Sequence, residues 1–137
     1  IEDPRERAER RAADERLADA IARDGVAAFA SRWEAQPLFA GQPAEVAAAA
    51  RAERLRHTPA ALAASLRGLG TGTMEPVWDR LHELTMPAPV VVGERDAKFV
   101  ALGERLAREL PSADLVVAEG AGHAVHLERP EAVAVAL

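Results

Sequence analysis

The chain has 137 residues, 49% of them apolar, enough to bury one core, with a net charge of -5 and only 4% aromatic residues. No apolar run approaches the roughly 18 residues of a membrane span, no secretory-signal pattern is visible at the start, and the absence of cysteine excludes disulfides and thiolate zinc sites. An acidic balance with few stacking rings argues against a nucleic-acid surface, so the expectation is a soluble, cytoplasmic protein with neither nucleic acid nor membrane as a partner. Lys98 is the only lysine among 17 basic residues, a bias from which no function follows.

In chain order, the first helix opens with Asp3 as N-cap, Pro4 at the first helical position and Glu6 three residues after the cap, as in a capping box. Gly25 supplies its stop. The pairs Asp3–Arg7, Glu6–Arg10 and Asp19–Arg23 have i,i+4 spacing, worth about 0.2–0.5 kcal/mol each. A second helix is expected from Val26 to about Ala35, with Val26, Phe29, Ala30 and Trp33 on one stripe, ending before Pro37. Pro43 to Arg56 and Thr58 to Leu69 read as two more, divided at His57-Thr58-Pro59, with Leu62, Leu66 and Leu69 as the apolar seam of the latter. Gly68 to Glu75 is glycine- and threonine-rich and marks a loop, and Pro76 to Leu84 reads as a short helix. The expected division is a helical subdomain over 1-72 followed by an α/β portion over 73-137.

Two valine-rich runs without alternation, Pro89 to Val92 and Leu115 to Ala118, read as buried parallel strands near 89-92 and 114-118. Between them Leu102, Leu106 and Leu110 recur at helical spacing over Phe99 to Leu110, giving a β-α-β unit with a right-handed crossover. Pro130 opens an amphipathic segment that reaches Leu137 without a capping residue, so the chain looks cut off. A parallel strand pair that is apolar on both faces needs flanking layers. The chain by itself is therefore expected to be unstable or aggregation-prone in water.

Each strand is followed by a loop at the carboxyl edge of the sheet, where open α/β folds keep their ligands. The first carries Asp96 and the second, Gly120-Ala-Gly-His123, carries a histidine. A carboxylate that accepts a hydrogen bond from one imidazole nitrogen leaves the other free to take a proton, which is base catalysis in need of a nucleophile. Blander readings exist: Asp96 as the N-cap of the following helix, the two glycines as turn formers beside a surface histidine, and His126 as a rival lying past the loop. Asp96 and His123 together, in the right order at adjacent strand ends, favour the catalytic reading. The expected serine on a Gly-x-Ser-x-Gly elbow is not found; Ser31, Ser65 and Ser112 lack the glycines and the strand, which places the nucleophile upstream of Ile1. A metal site from His57, His82, His123 and His126 lacks supporting spacing.

Four segments carry a family resemblance: Val92-Gly-Glu-Arg-Asp-Ala-Lys-Phe99; Gly120-Ala-Gly-His-Ala-Val-His-Leu-Glu-Arg-Pro130; Phe29 to Phe39 with Trp33 and Gln36-Pro-Leu-Phe39; and Arg51 to Gly72 with Leu66-Arg-Gly-Leu-Gly-Thr-Gly72. The chain resembles the C-terminal portion of an α/β-hydrolase-fold enzyme, a helical cap followed by the last parallel β-α-β unit of the core. Its cap segments resemble the 2-succinyl-6-hydroxy-2,4-cyclohexadiene-1-carboxylate synthases of menaquinone biosynthesis. The resemblance implies a lyase in which a serine, activated by histidine and aspartate, abstracts a proton and pyruvate is eliminated from 2-succinyl-5-enolpyruvyl-6-hydroxy-3-cyclohexene-1-carboxylate. It implies no metal or organic cofactor. By carry-over Asp96 and His123 are the triad acid and histidine, and Arg10, Trp33 and Arg54 contact the substrate from the cap. The implied partners are a small polycarboxylate substrate and the N-terminal half of the same enzyme, which would hold the serine, the oxyanion-hole donors and a further arginine.

The residues alone leave the cap assignments open, because Arg10 has Glu6 as a helical partner, Arg54 lies among Arg51 and Arg56, and Trp33 suits a core. Two rivals stand beside the lyase. One is a hydrolase of an ester or carbon-carbon bond; the other is a non-catalytic fragment that has lost its nucleophile.

Overall fold

A computed structural model describes residues 1–136. By packing they form two compact units, one of residues 1–35 and 48–76 and one of 36–47 and 77–136. The boundary expected at residue 72 falls inside the first unit; packing divides the chain at Pro76 and places 36–47 with the second unit.

The first unit is built on α1, Pro4–Glu34, and α3, Pro59–Leu69. Asp3 accepts the Glu6 amide at 2.8 Å, so the cap forms as the sequence predicts. Helical hydrogen bonding resumes past Gly25, but its φ of 83° breaks the helical geometry, so the predicted stop is a kink within one element. The stripe is also as expected, with Val26, Phe29 and Ala30 buried and the Trp33 ring 5.4 Å from Phe29. Ile21 is fully buried on the other side of the kink. On α3 the Thr58 hydroxyl caps the Ala61 amide at 3.2 Å. Leu62 and Leu66 are partly buried, but Ala63 takes the innermost place and Leu69 is 71% exposed. The seam ends early because the chain turns in at Gly70, beside Asp14.

The expected ion pairs on α1 give way to others. Arg7 reaches Glu75 at 2.7 Å, Arg10 pairs with Asp14 at 2.9 Å, and Arg23 pairs with its neighbour Asp24 at 2.9 Å, while Asp19 receives Arg67 at 2.7 Å. Asp14 is buried, and a buried carboxylate demands a cation more strongly than an exposed Glu6 does. That difference decides which turn of the helix Arg10 points along. Arg7 also holds the Glu75 carboxyl below its ordinary range, chiefly by their hydrogen bond.

The stretch 36–47 opens with a turn of 3-10 helix, Pro37–Phe39, that the sequence pattern does not predict. Helix α2, Ala44–Arg54, follows and crosses from the second unit into the first. The segment expected to form a short helix over Pro76 to Leu84 is a 3-10 helix, Trp78–Glu83.

In the second unit, β1, Val90–Gly93, and β2, Leu115–Ala118, pair in parallel with Val90 opposite Leu115 and Gly93 opposite Ala118. Between them runs α4, Ala97–Glu109, whose one buried residue, Gly103, faces the side chains of Val92 and Leu115. After β2 come α5, Val125–Glu128, and α6, Pro130–Ala136. Ala118, Ala121 and Val125 form a small core with Val91, Ala132 and Val133 against it. The strands are less covered than their composition asks, and Val117 is 44% exposed. No helix among the described residues is long and apolar enough to cross a membrane.

Candidate active site

Hydrogen bonding between the strands continues beyond them into the two loops. The Glu94 amide donates to the Ala118 carbonyl at 3.1 Å and the Arg95 amide to the Ala121 carbonyl at 2.9 Å. Side chains tighten the same join. The Gly120 amide donates to Glu94 Oε2 at 2.8 Å, and the Arg95 guanidinium donates to the Gly120 carbonyl. The loop after β1 thus grips the loop after β2 by both backbone polar groups of a single residue.

This join sets Asp96 against His123. Asp96 Oδ2 lies 2.7 Å from His123 Nδ1, while Asp96 Oδ1 accepts the Phe99 amide at 3.2 Å. Asp96 therefore caps α4 with one carboxylate oxygen and meets the imidazole with the other. Asp96 is 8% exposed, and its two oxygens face an amide at the N-terminus of α4 and an imidazole. A carboxylate accepts hydrogen bonds only, so Nδ1 is the donor, and in a neutral imidazole the lone pair then lies on Nε2.

The His123 side chain is 30% exposed. The Phe99 ring meets the imidazole edge-on at 4.7 Å between centroids, and Phe39 lies at 6.1 Å in a similar orientation. Neither phenylalanine stands out as a site residue in the sequence. Phe99 falls at the third position after the cap, a signal that was available; Phe39 comes from the unanticipated 3-10 turn and carries no local signal. His126 is exposed on α5 and takes no part in the pair.

Gly93, the last residue of β1, lies hard against the loop after β2. A methyl group there would lie 2.0 Å from the Gly122 carbonyl oxygen and 2.7 Å from that of Ala121. Both obstacles are backbone, so neither yields by a side-chain rotation. We expect Gly93→Ala to cost about 2–3 kcal/mol of stability in the complete protein, as overpacking against backbone does. Urea denaturation measures it, and an unchanged midpoint would contradict the close approach.

Arg10, Trp33 and Arg54 all lie in the first unit, on α1 and at the end of α2. Arg10 is joined through Nε to both oxygens of Asp14, at 2.9 and 3.0 Å. Arg54 donates to Glu34 Oε1 at 3.3 Å, and Arg51 donates to the other oxygen of the same carboxylate at 2.7 Å. Two guanidiniums thus gather on Glu34 at the end of α1, while the Trp33 ring meets that of Phe29. The kink at Gly25 lies between Arg10 and Trp33, and its angle sets their separation. Among the described residues no group of three or more His, Asp or Glu is placed to hold a metal ion.

Comparison with known proteins identifies the fold and the family. A family model described as alpha/beta hydrolase family matches residues 2–136. A putative 2-succinyl-6-hydroxy-2,4-cyclohexadiene-1-carboxylate synthase of Bacillus subtilis (strain 168) is 41% identical over 128 residues, covering 91% of this chain and 47% of that protein. Among solved structures, MenH from S. aureus superposes with a TM-score of 0.93 at 31% identity, over 98% of this chain and 53% of its own. A malate-bound thermophilic esterase from Thermogutta terrifontis superposes with a TM-score of 0.78 at 29% identity, over 93% of this chain and 48% of its own. The chain thus spans about half the length of the relatives it matches. With a family match across nearly every residue and a parallel pair that carries an acid and a histidine on successive loops, the chain belongs to the alpha/beta hydrolase family.

Proposed function

We propose that this chain supplies the acid and the general base of a Ser-His-Asp centre in a carbon-oxygen lyase that eliminates pyruvate from 2-succinyl-5-enolpyruvyl-6-hydroxy-3-cyclohexene-1-carboxylate, a step of menaquinone biosynthesis. The observation that carries the reading is the 2.7 Å contact between the buried Asp96 carboxylate and His123 Nδ1. His123 Nε2 takes the serine proton, and the serine oxygen removes a ring C–H proton of the substrate. The electron pair of that C–H bond becomes a ring double bond, the carbon-oxygen bond to the enolpyruvyl group breaks, and the leaving enolate gains a proton to become pyruvate. Asp96 holds the imidazole in the required tautomer and stabilises the imidazolium while it lasts. The proposal places the serine outside these residues, which span about half the length of the relatives. The names of the relatives and the cap residues support the lyase; no cofactor enters the proposal.

Arg10 and Arg54 are the proposed carboxylate ligands, with Trp33 as a proposed apolar wall. The contact of Arg10 with Asp14 uses Nε, which leaves the outer edge of the guanidinium fork for a substrate carboxylate. A second reading, an esterase, draws on the likeness to the Thermogutta terrifontis enzyme. It would use Asp96 and His123 identically but gain nothing from the two arginines.

The test is pyruvate release by the complete protein and by its Arg10→Ala/Arg54→Ala double variant. Loss of two charge-assisted hydrogen bonds should lower kcat/KM on the polycarboxylate by about a hundredfold, near 3 kcal/mol. Hydrolysis of a simple uncharged ester should stay within threefold on either protein. An unchanged kcat/KM for pyruvate release removes the arginines as ligands, and ester turnover without pyruvate release replaces the lyase by the esterase.

A further inference from the structure

Gly122, the residue before His123, is held from two sides. Its carbonyl packs against Gly93, where even a methyl group would collide at 2.0 Å. Its amide donates to Glu128 Oε2 at 2.7 Å. Both oxygens of that carboxylate lie over the Gly122 Cα, 3.1 and 3.2 Å from where a Cβ would stand. Glu128 ends α5, and its side chain reaches back six residues to close the segment 122–128 into a ring that contains His123. Glu128 is itself half-buried, and its hydrogen bond goes to the backbone beside the histidine rather than to Asp96 or the imidazole.

We infer that Glu128 is a positioning residue for His123: by accepting the Gly122 amide it fixes the backbone from which the imidazole projects toward Asp96. The contact needs an acceptor at the end of a side chain of this length, and the negative charge is not what the Gly122 amide requires. A misplacement of about 1 Å at a general base can cost on the order of a hundredfold in rate, while substrate binding by other residues is untouched. The inference rests on the proposed catalytic role of His123, and its test separates the two.

In the complete protein, Glu128→Gln keeps an acceptor oxygen of the same reach, Glu128→Asp shortens the reach by one methylene, and Glu128→Ala removes the acceptor. The expected result is kcat within threefold of wild type for Glu128→Gln, at least fivefold lower for Glu128→Asp and about thirtyfold to a hundredfold lower for Glu128→Ala, with KM unchanged in all three. The proton on His123 Nδ1 gives an independent readout by NMR, a resonance far downfield of the amides while the Asp96 bond is short. That signal should persist in Glu128→Gln and weaken or vanish in Glu128→Asp and Glu128→Ala, whether or not the protein turns over substrate. If Glu128→Ala fails to fold, the Gln and Asp variants carry the comparison. Glu128→Gln as impaired as Glu128→Asp, or all variants with wild-type kcat and an unmoved resonance, overturns the inference. Full activity in a His123→Ala protein would instead sink the catalytic reading itself.

Discussion

An Asp96→Asn variant of the complete protein is expected to keep its fold and lose about 10⁴-fold in turnover, as replacing a triad aspartate by its amide can do. The two oxygens of Asp96 make the separation possible. Asparagine is as good a cap as aspartate, so its carbonyl oxygen continues to accept the Phe99 amide that Asp96 accepts at 3.2 Å. The amide nitrogen then faces His123 where Oδ2 stood at 2.7 Å. A donor there forces Nδ1 to be the acceptor and moves the ring proton to Nε2, the nitrogen that has to take a proton from serine. Asp96→Ala should lose the cap as well, adding about 1 kcal/mol of destabilisation. Turnover and urea denaturation measured on both variants make the check. Asparagine retaining more than a tenth of wild-type kcat would remove Asp96 from the tautomer-holding role.

The second large effect concerns the base. In the complete protein His123→Ala should lower kcat by about a thousandfold or more, given the usual contribution of a triad histidine. His126→Ala is the matched control three residues away, exposed and outside the pair, and should stay within threefold. A loss below tenfold for His123→Ala, or an equal loss for His126→Ala, contradicts the assignment. Thermal melts of both variants tell a fold defect from a chemical one.

The β-α-β unit is legible in the sequence because its signals are local: valine runs for β1 and β2, and an apolar period for α4. The order of aspartate and histidine on successive strand ends is legible for the same reason. Periodicity starts the helix at Phe99, two residues past Ala97, because the leucine repeat leaves open whether Asp96 is a cap or a triad acid. A carboxylate has two oxygens, and here each meets a different donor. What local pattern does not carry is the choice among partners that burial decides. Arg10 has acidic residues at i−4 and i+4, and only the burial of Asp14 beside Gly70 selects the latter. Arg7 and Glu75 are 68 positions apart, and no window along the chain joins them. The clamp on the histidine loop escapes local pattern likewise, since Glu94 and Glu128 look like ordinary surface acids until both loops are in place. Phe39 reaches His123 from a three-residue turn too short to leave a periodic signal.

The acid and the histidine stand only 27 positions apart, with the 13 residues of α4 between them. Bringing two such positions together is entropically inexpensive, since each doubling of a flexible loop adds only about 0.6 kcal/mol and a helix shortens the effective loop further. Contacts of low sequence separation also form early relative to distant pairings. The pair proposed here as the proton-accepting half of a catalytic centre is therefore assembled from one short stretch of polypeptide, and under that proposal a nucleophile supplied from far along the sequence has to find a base that its own contacts have already put in place.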